Sequence, residues 1–368
     1  LQTPNVFTVM LLRQLQVKNF RNLKDVSLRP IPGVNLIFGD NASGKTILLE
    51  SIYYLSHVRS FRTQSVTDLI LRESPYLHIV ASIHLNETQE IPIGIRRSRN
   101  KSEIRVNKQP VKRVSDIAAQ FPVLAIHPDS YRLITGSPSQ RRQYLDWGVF
   151  HVEHGFFNAW QRFKKALSQR NAALKSKQKF DVCQLWNNEI NNTSHYIDQL
   201  RQQYFDKLIP YFNQLTNQFF PDDVVDIEYK RGWSKETDLI DLLEQNLQKE
   251  RLKGYTYHGP HRAELIIKIN GQSAQTCISR GQQKTLVALM RLAQAMQFTG
   301  STDKCCILLY DDLAAELDAT HRKLILSVLS SMNIQLFLTA IEKDQLDLSA
   351  WQKIKMFHVE HGQVKPYA

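Results

Sequence analysis

The segment Gly39-Asp40-Asn41-Ala42-Ser43-Gly44-Lys45-Thr46 fits the pattern G-x4-G-K-[ST]. Such a loop wraps phosphates in backbone N–H groups and points a helix N-terminus at them. Gly39 and Gly44 would let the backbone approach without a Cβ in the way. Lys45 would reach the β- and γ-phosphates of ATP, and Thr46 would hold Mg²⁺. Far downstream, Ile307-Leu308-Leu309-Tyr310 is an apolar run closed by Asp311-Asp312. A carboxylate at the end of a buried strand can hold Mg²⁺ directly or through water, which is the role expected of Asp311. Asp312 beside it would orient or deprotonate an attacking water. Two acids at a helix start after a strand are also common for purely structural reasons; Lys45 tips the balance towards chemistry. Between these segments stands Ser279-Arg280-Gly281-Gln282-Gln283, and after them Glu316-Leu317-Asp318. Ser279 opens a helix, either as a plain N-cap or as a second anion-binding helix start. One protomer cannot easily bring two such starts to a single γ-phosphate; two protomers facing each other can.

These residues need elements to place them. Residues 12–20, LRQLQVKNF, alternate apolar and polar as a half-buried strand does. Val34 to Phe38 reads as a short buried strand. The Gly-bearing loop follows at once, then a helix with apolar spacing through Ile47, Leu48, Ile52, Tyr53 and Leu55. Strand, loop, helix is the context a phosphate loop requires. HIVASIHL and EIPIGIRR predict two strands joined by a polar turn at Asn86-Glu87, and SEIRVN with Asn107-Lys108 another hairpin arm. From about 140 to 250 the chain is rich in Gln, Asn, Lys and aromatics at helical spacing. No heptad persists, so a compact helical insertion is expected and not a long coiled coil. After 255 the core is expected to resume: a strand at Leu265–Ile269, a helix from Ser279, strands ending at Tyr310 and Leu338, and a closing hairpin in MFHVEHGQV. The fold expected is α/β: an ATPase head of mixed core sheet, flanking helices and antiparallel β-lobe, with an inserted helical domain. The boundaries are 10–135, 136–254 and 255–368.

The chain has 368 residues, 42% of them hydrophobic, and a formal net charge of +12. An excess of Lys and Arg favours polyanions, of which nucleic acids are the commonest in a cell; a merely basic enzyme is the alternative. No apolar run reaches the roughly 18 residues that span a bilayer, and no secretory leader is legible, so a cytoplasmic protein without a membrane partner is expected. The start could be Leu1 or Met10. Cys183, Cys277, Cys305 and Cys306 form no zinc spacing, which excludes a Cys/His metal site and fits a reducing compartment.

A phosphate loop, then S-x-G-Q, then an apolar strand ending in two Asp and followed by ELD, is similar to the ABC and SMC-like ATPase heads. More closely, the chain resembles the RecF family of recombination mediators. Supporting stretches are LQVKNFRNL, FGDNASGKTILLESIYYLS, HPDSYRLITGSPSQRRQYLDW, YHGPHRAEL, SRGQQKTLVALMRLAQ and YDDLAAELD. The resemblance implies ATP and Mg²⁺ as cofactors, ATP-driven homodimerisation, and slow, DNA-stimulated hydrolysis that promotes dissociation. It implies binding to single-stranded, gapped or duplex DNA, and action with RecO- and RecR-like partners to load RecA at single-strand gaps, in the SOS response to damage. By the same resemblance Ser279, Gly281 and Gln282 contact the ATP of the opposite protomer, and Asp318 lies at the dimer seam. Thr339 falls where ABC transporters carry a switch His, a candidate γ-phosphate sensor. For the loop whose glutamine contacts metal in such heads, the region from His127 to Arg132 is the best candidate. Two residues depart from the family pattern: Ala263 stands where an acid usually follows Gly-Pro-His-Arg, and Tyr310 where an aliphatic residue usually precedes the acids.

For DNA, the basic clusters are Arg96, Arg97, Arg99 and Lys101; Lys108, Lys112 and Arg113; and Arg141 and Arg142 with Arg162, Lys164 and Lys165. A sequence-independent binder needs phosphate-neutralising charge; each cluster could equally be a solvated face. His258, His261 and Arg262 are open between core, seam and catalytic roles. The competing readings are the ATP-hydrolysing subunit of an ABC-type transporter and a small-molecule P-loop kinase. The basic charge and the helical insertion count against the first, and the S-x-G-Q helix has no job in the second.

Overall fold

Val34–Phe38 is buried along its whole length, as a strand covered on both faces must be. The computed structural model describes residues 11–84, 89–111, 113–176, 180–302 and 304–367. Met10, Lys112 and the Asn86-Glu87 turn lie outside them. The chain forms two compact units, one built from the segments up to Ser130 and from Lys284 onward, the other from Tyr131–Gln283.

The first unit contains two six-stranded sheets. In one, Val34–Phe38 lies between Gln335–Ala340 and Ile354–Glu360; Ile307–Tyr310 and then Val123–Ile126 extend it on the Gln335–Ala340 side, all parallel. Ile354–Glu360 turns back as an antiparallel hairpin with Gln363–Tyr367, as MFHVEHGQV predicts. The second sheet is antiparallel, in the order Leu23–Leu28, Leu11–Phe20, Tyr76–His84, Glu90–Ser98, Ser102–Val106 and Gln109–Pro110. Its strands alternate buried and exposed positions, clearest in Tyr76–His84. Asn107 and Lys108 both take positive φ, the geometry of a tight hairpin turn. One apolar core joins this sheet, the central sheet and the helix Lys45–His57, through Leu15, Val17, Ile79, Ile95, Leu48, Ile52, Leu309 and Phe337.

The second unit is mainly helical, with long helices Pro138–Val152, Phe156–Lys175 and Asn187–Phe219. A Cβ on Gly148 would fall 2.0 Å from the Tyr204 ring, so a glycine is what lets the first and third helices meet. Deep in the unit, the fully buried Arg170 pairs with the fully buried Glu250 at 2.5 Å and with Asn187 and Thr256. This unit reaches beyond the expected 136–254. The reason is a strand not expected within the helical insertion, Val225–Lys230, which alternates apolar and polar residues inside a stretch whose composition points to helix. It pairs antiparallel with Glu264–Ile269, which draws that strand out of the core sheet and into a three-stranded sheet of the second unit.

Candidate functional site

The phosphate loop leaves the central strand at Gly39, with φ 146° at Gly39, 62° at Ala42 and 121° at Gly44. A Cβ on Gly39 would sit 2.2 Å from the Val359 carbonyl oxygen, so no other residue fits there. The loop is pinned at three points: the Gly39 N–H donates to Ile341 O, the Ser43 N–H to Asp40 O, and the Gly362 N–H to Ser43 O. Asp40, Asn41 and Ala42 are exposed, while Ser43 is buried and its hydroxyl has no hydrogen-bond partner. Lys45 Nζ donates to Gly39 O at 2.6 Å and Asp40 O at 2.8 Å. Burial lowers its pKa, and the charges of Asp312, Asp311 and Asp40 pull the other way.

Thr46 and Asp311, 265 residues apart, meet: the Thr46 hydroxyl lies 2.8 Å from Asp311 Oδ2 and 3.0 Å from Oδ1. The parallel register sets Tyr310 beside Leu338, which brings Thr339 to the acids. Its hydroxyl donates to Asp311 Oδ1 at 2.8 Å and accepts from the Asp312 N–H at 2.7 Å. Thr339 is fully buried, and its hydroxyl is committed to the acid pair. Asp311 is 3% exposed. Burial raises its pKa, against the pull of the Thr339 and Thr46 hydrogen bonds; the Asp312 charge adds to the rise and the Arg62 charge opposes it. Asp312 is left-handed, φ 56°, at the start of the short helix Leu313–Glu316. Ile126 O accepts the Asp311 N–H, so His127 comes off the neighbouring strand at the level of the acids, its ring stacked on Phe61 at 4.4 Å. The stretch 127–132 contains no glutamine.

Three contributors were not assigned to the site from the sequence: Arg62, whose charge reaches Asp311, and Val359 and Gly362 of the closing hairpin, which back the loop. The N-F-R-N stretch acquires a reason too. Arg21 makes a two-pronged ion pair with the fully buried Glu50 of the helix Lys45–His57, at 2.7 and 2.8 Å.

Ser279, Gly281 and Gln282 lie in the second unit and are exposed. The Gln282 N–H donates to Ser279 Oγ and the Ser279 N–H to Gln282 Oε1, a reciprocal capping box at the head of the helix Arg280–Thr302. Arg280 reaches the Tyr131 hydroxyl at 3.1 Å. In the first unit, Asp318 caps the helix Ala319–Ser331 through the Thr320 and His321 N–H groups, and these bonds hold its carboxyl below the ordinary range.

The basic residues divide sharply. Arg96 is exposed, while Arg97, one residue on, shares the face of the buried Leu77 and acts on the buried Tyr54. Arg99, Lys101, Lys108 and Arg113 are exposed; Lys101 pairs with Glu103. Arg141 is spent inside the second unit: it grips Glu264 at 2.7 and 2.9 Å and donates to the Ile134 and Gly136 carbonyls. Arg142 is half-buried and donates to Ala263 O. Neither is the free cation that the sequence predicts, because the fold needs both. It also gives Glu264, the acid that follows Ala263, a structural task. Arg162 forms a two-pronged pair with Glu189, while Lys164 and Lys165 are exposed. His261 is largely buried; its Nε2 lies 3.1 Å from Thr256 O, and burial pushes its pKa down to about 4, so it is a neutral core residue at pH 7. Arg262 lies over Tyr255 and is exposed.

The family described as "RecF/RecN/SMC N terminal domain" matches residues 11–365. The chain is 36% identical to the DNA replication and repair protein RecF of Thioalkalivibrio sulfidiphilus, over 97% of this chain and 99% of that protein. It is 39% identical to the protein of the same name from Stutzerimonas stutzeri, over 96% and 97%. Among solved structures it resembles one described as the recombination mediator protein RecF-ATP in the RecFOR pathway, with TM-score 0.89, 28% identity and full coverage of both chains. An Smc head domain from Pyrococcus furiosus, at TM-score 0.58 and 16% identity over 97% and 96% of the two chains, shares the fold alone.

Proposed function

The chain belongs to the RecF family, and from that premise we propose that it is an ATP-gated DNA-binding protein of DNA replication and repair. The observation that carries the ATP part is the meeting of Thr46 with Asp311 under the loop that holds Lys45. The backbone N–H groups of 39–46 would cradle the phosphates and Lys45 would neutralise them. A hydroxyl and a carboxylate side by side are hard oxygen donors suited to Mg²⁺, which takes one or two carboxylates plus substrate phosphates; among the described residues no larger His, Cys, Asp or Glu cluster competes for a metal. Mg²⁺ supplies charge neutralisation at the β- and γ-phosphates. Asp312 is the candidate for orienting the water, and Thr339 positions both acids from below.

Ser279, Gly281 and Gln282 serve the ATP of a second copy, with Asp318 at the seam, so ATP drives homodimerisation. The dimer binds single-stranded, gapped or duplex DNA in the cytoplasm and works with RecO- and RecR-like partners to load RecA at single-strand gaps. Slow, DNA-stimulated hydrolysis releases it. The relatives named above are RecF proteins matched nearly end to end, so the transporter and kinase readings are set aside. Sedimentation of wild type and Lys45→Arg, with and without ATP and gapped DNA, tests the reading. Wild type should shift to a dimer with ATP; Lys45→Arg should remain folded and monomeric. A wild type that stays monomeric at saturating ATP would overturn the switch.

A further inference from the structure

The outward face of the antiparallel sheet carries one ionisable side chain per strand along a single row: Asp25, Lys18, His78, Arg96 and Glu103. In the adjoining row Val80, Gly94 and Arg105 are neighbours. Where the rows meet, Tyr76, His78, Gly94, Arg96, Glu103 and Arg105 line a pocket of about 280 Å³.

Gly94 is the informative residue. Glycine inside a strand costs roughly 0.5–1 kcal/mol and usually marks a bulge, a bend or a close approach by something else. The pairing of Glu90–Ser98 runs through Gly94 on both sides without a shift, and its φ is not positive. A Cβ there would meet only Val80 Cγ2, at an ordinary 4.0 Å. Neither backbone nor packing demands the glycine, which leaves room for a ligand as its reason.

The walls say what kind of ligand. The Arg96 guanidinium carbon lies over the Tyr76 ring, 3.9 Å from its centroid, which holds the guanidinium at the pocket. The Arg105 side chain is exposed and has no hydrogen-bond or ion-pair partner among the described residues. Glu103 is the one anion of the lining; Lys101 pairs with it at 2.7 Å, and the charges of Arg96 and Arg105 act on it more weakly. His78 is held below its ordinary pKa by burial, Arg96 and Lys18, so it stays neutral and adds no charge of its own. Two guanidiniums over an uncovered floor suit a tetrahedral oxyanion.

We propose that this pocket receives a backbone phosphate of nucleic acid, gripped by Arg96 and Arg105 above Gly94. The assignment rests on the DNA-binding reading and adds Arg105, Gly94 and Tyr76 to it, none of them singled out by the basic clusters of the sequence. The test compares wild type, Gly94→Val and Arg105→Gln in ATP-saturated binding to a gapped duplex over a salt series. Melting temperature and affinity for a fluorescent ATP analogue serve as controls. Gly94→Val fills the floor and leaves every charge in place. Each variant should bind DNA about tenfold more weakly at low salt, with the slope of log K against log salt reduced by about one, while affinity for the ATP analogue stays at the wild-type value and the melting temperature does not fall. Variants that match wild type in affinity and slope would overturn the pocket and leave the DNA-binding reading intact. A wild type that does not bind DNA would sink that reading itself. Inorganic tripolyphosphate that binds wild type but not Gly94→Val, with DNA binding unchanged, would show a small-anion site and overturn the nucleic-acid assignment.

Discussion

At the scale of single residues, the Asp311 carboxylate is buried at a cost. It is 3% exposed, and its burial is only partly answered by the Thr339 and Thr46 hydroxyls, so its pKa is raised. A carboxyl raised in the folded state contributes stability that is full below the unfolded value of about 3.9 and is lost as pH climbs through the folded value. At neutral pH ionised Asp311 therefore costs stability, the usual trade at a functional acid. Asp311→Asn keeps an acceptor for Thr339 and removes the charge. In the nucleotide-free protein it should raise the melting temperature at pH 7–8 by about 2–4 °C, what roughly 1 kcal/mol is worth in a unit of about 200 residues such as the one that holds Asp311. The gain should vanish near pH 4, and ATP turnover should be lost at every pH. A mutant that melts below wild type at pH 8 would contradict this account. Lys45, Thr46 and Asp311 were legible in the sequence because short local patterns encode them. The Arg21–Glu50 pair was not, because nothing local marks which of many Arg and Glu residues meet across 29 positions. The same limit applies to Arg141: an exposed DNA contact and a half-buried clamp on Glu264 look alike until the distant Glu264 is placed.

At the scale of elements, the helix Arg280–Thr302 begins on a residue with one observed role and one proposed here. Ser279 caps its own helix through the Gln282 N–H and is exposed, and the proposed role is contact with the ATP of a second copy. The two roles separate by mutation. Gln282→Glu preserves the capping box, whereas Ser279→Ala removes the cap at a cost of about 1 kcal/mol. Ser279→Ala should lower the melting temperature by about 2–4 °C and abolish ATP-driven dimerisation in sedimentation, with ATP affinity of the monomer unchanged. Loss of stability with dimerisation intact would reduce Ser279 to a cap. Elements with a clean period, such as Tyr76–His84 and the helix Lys45–His57, were readable. Val225–Lys230 alternates as cleanly, with Asp226, Glu228 and Lys230 on its exposed face, and was missed because it is only six residues long within a stretch whose composition points to helix.

At the scale of the whole molecule, a net charge of +12 makes sense only once it is known which cations are free. Arg141, Arg142 and Arg170 are consumed by the fold; Arg96, Arg99, Arg105, Lys108 and Arg113 are on the surface. If the surface set contacts DNA, log K should fall linearly with log salt, with a slope of about −3.6 for four neutralised phosphates; a slope near zero would exclude an electrostatic grip. The α/β class and the split head were visible from motif order alone, while the reach of the second unit depended on one strand pairing. The loop that would grasp phosphate is early in the chain, yet its back wall is late: Gly39 rests on the Val359 carbonyl, and Ser43 O takes the Gly362 N–H. In a polypeptide still on the ribosome, the grasping half is made first and waits for its backing.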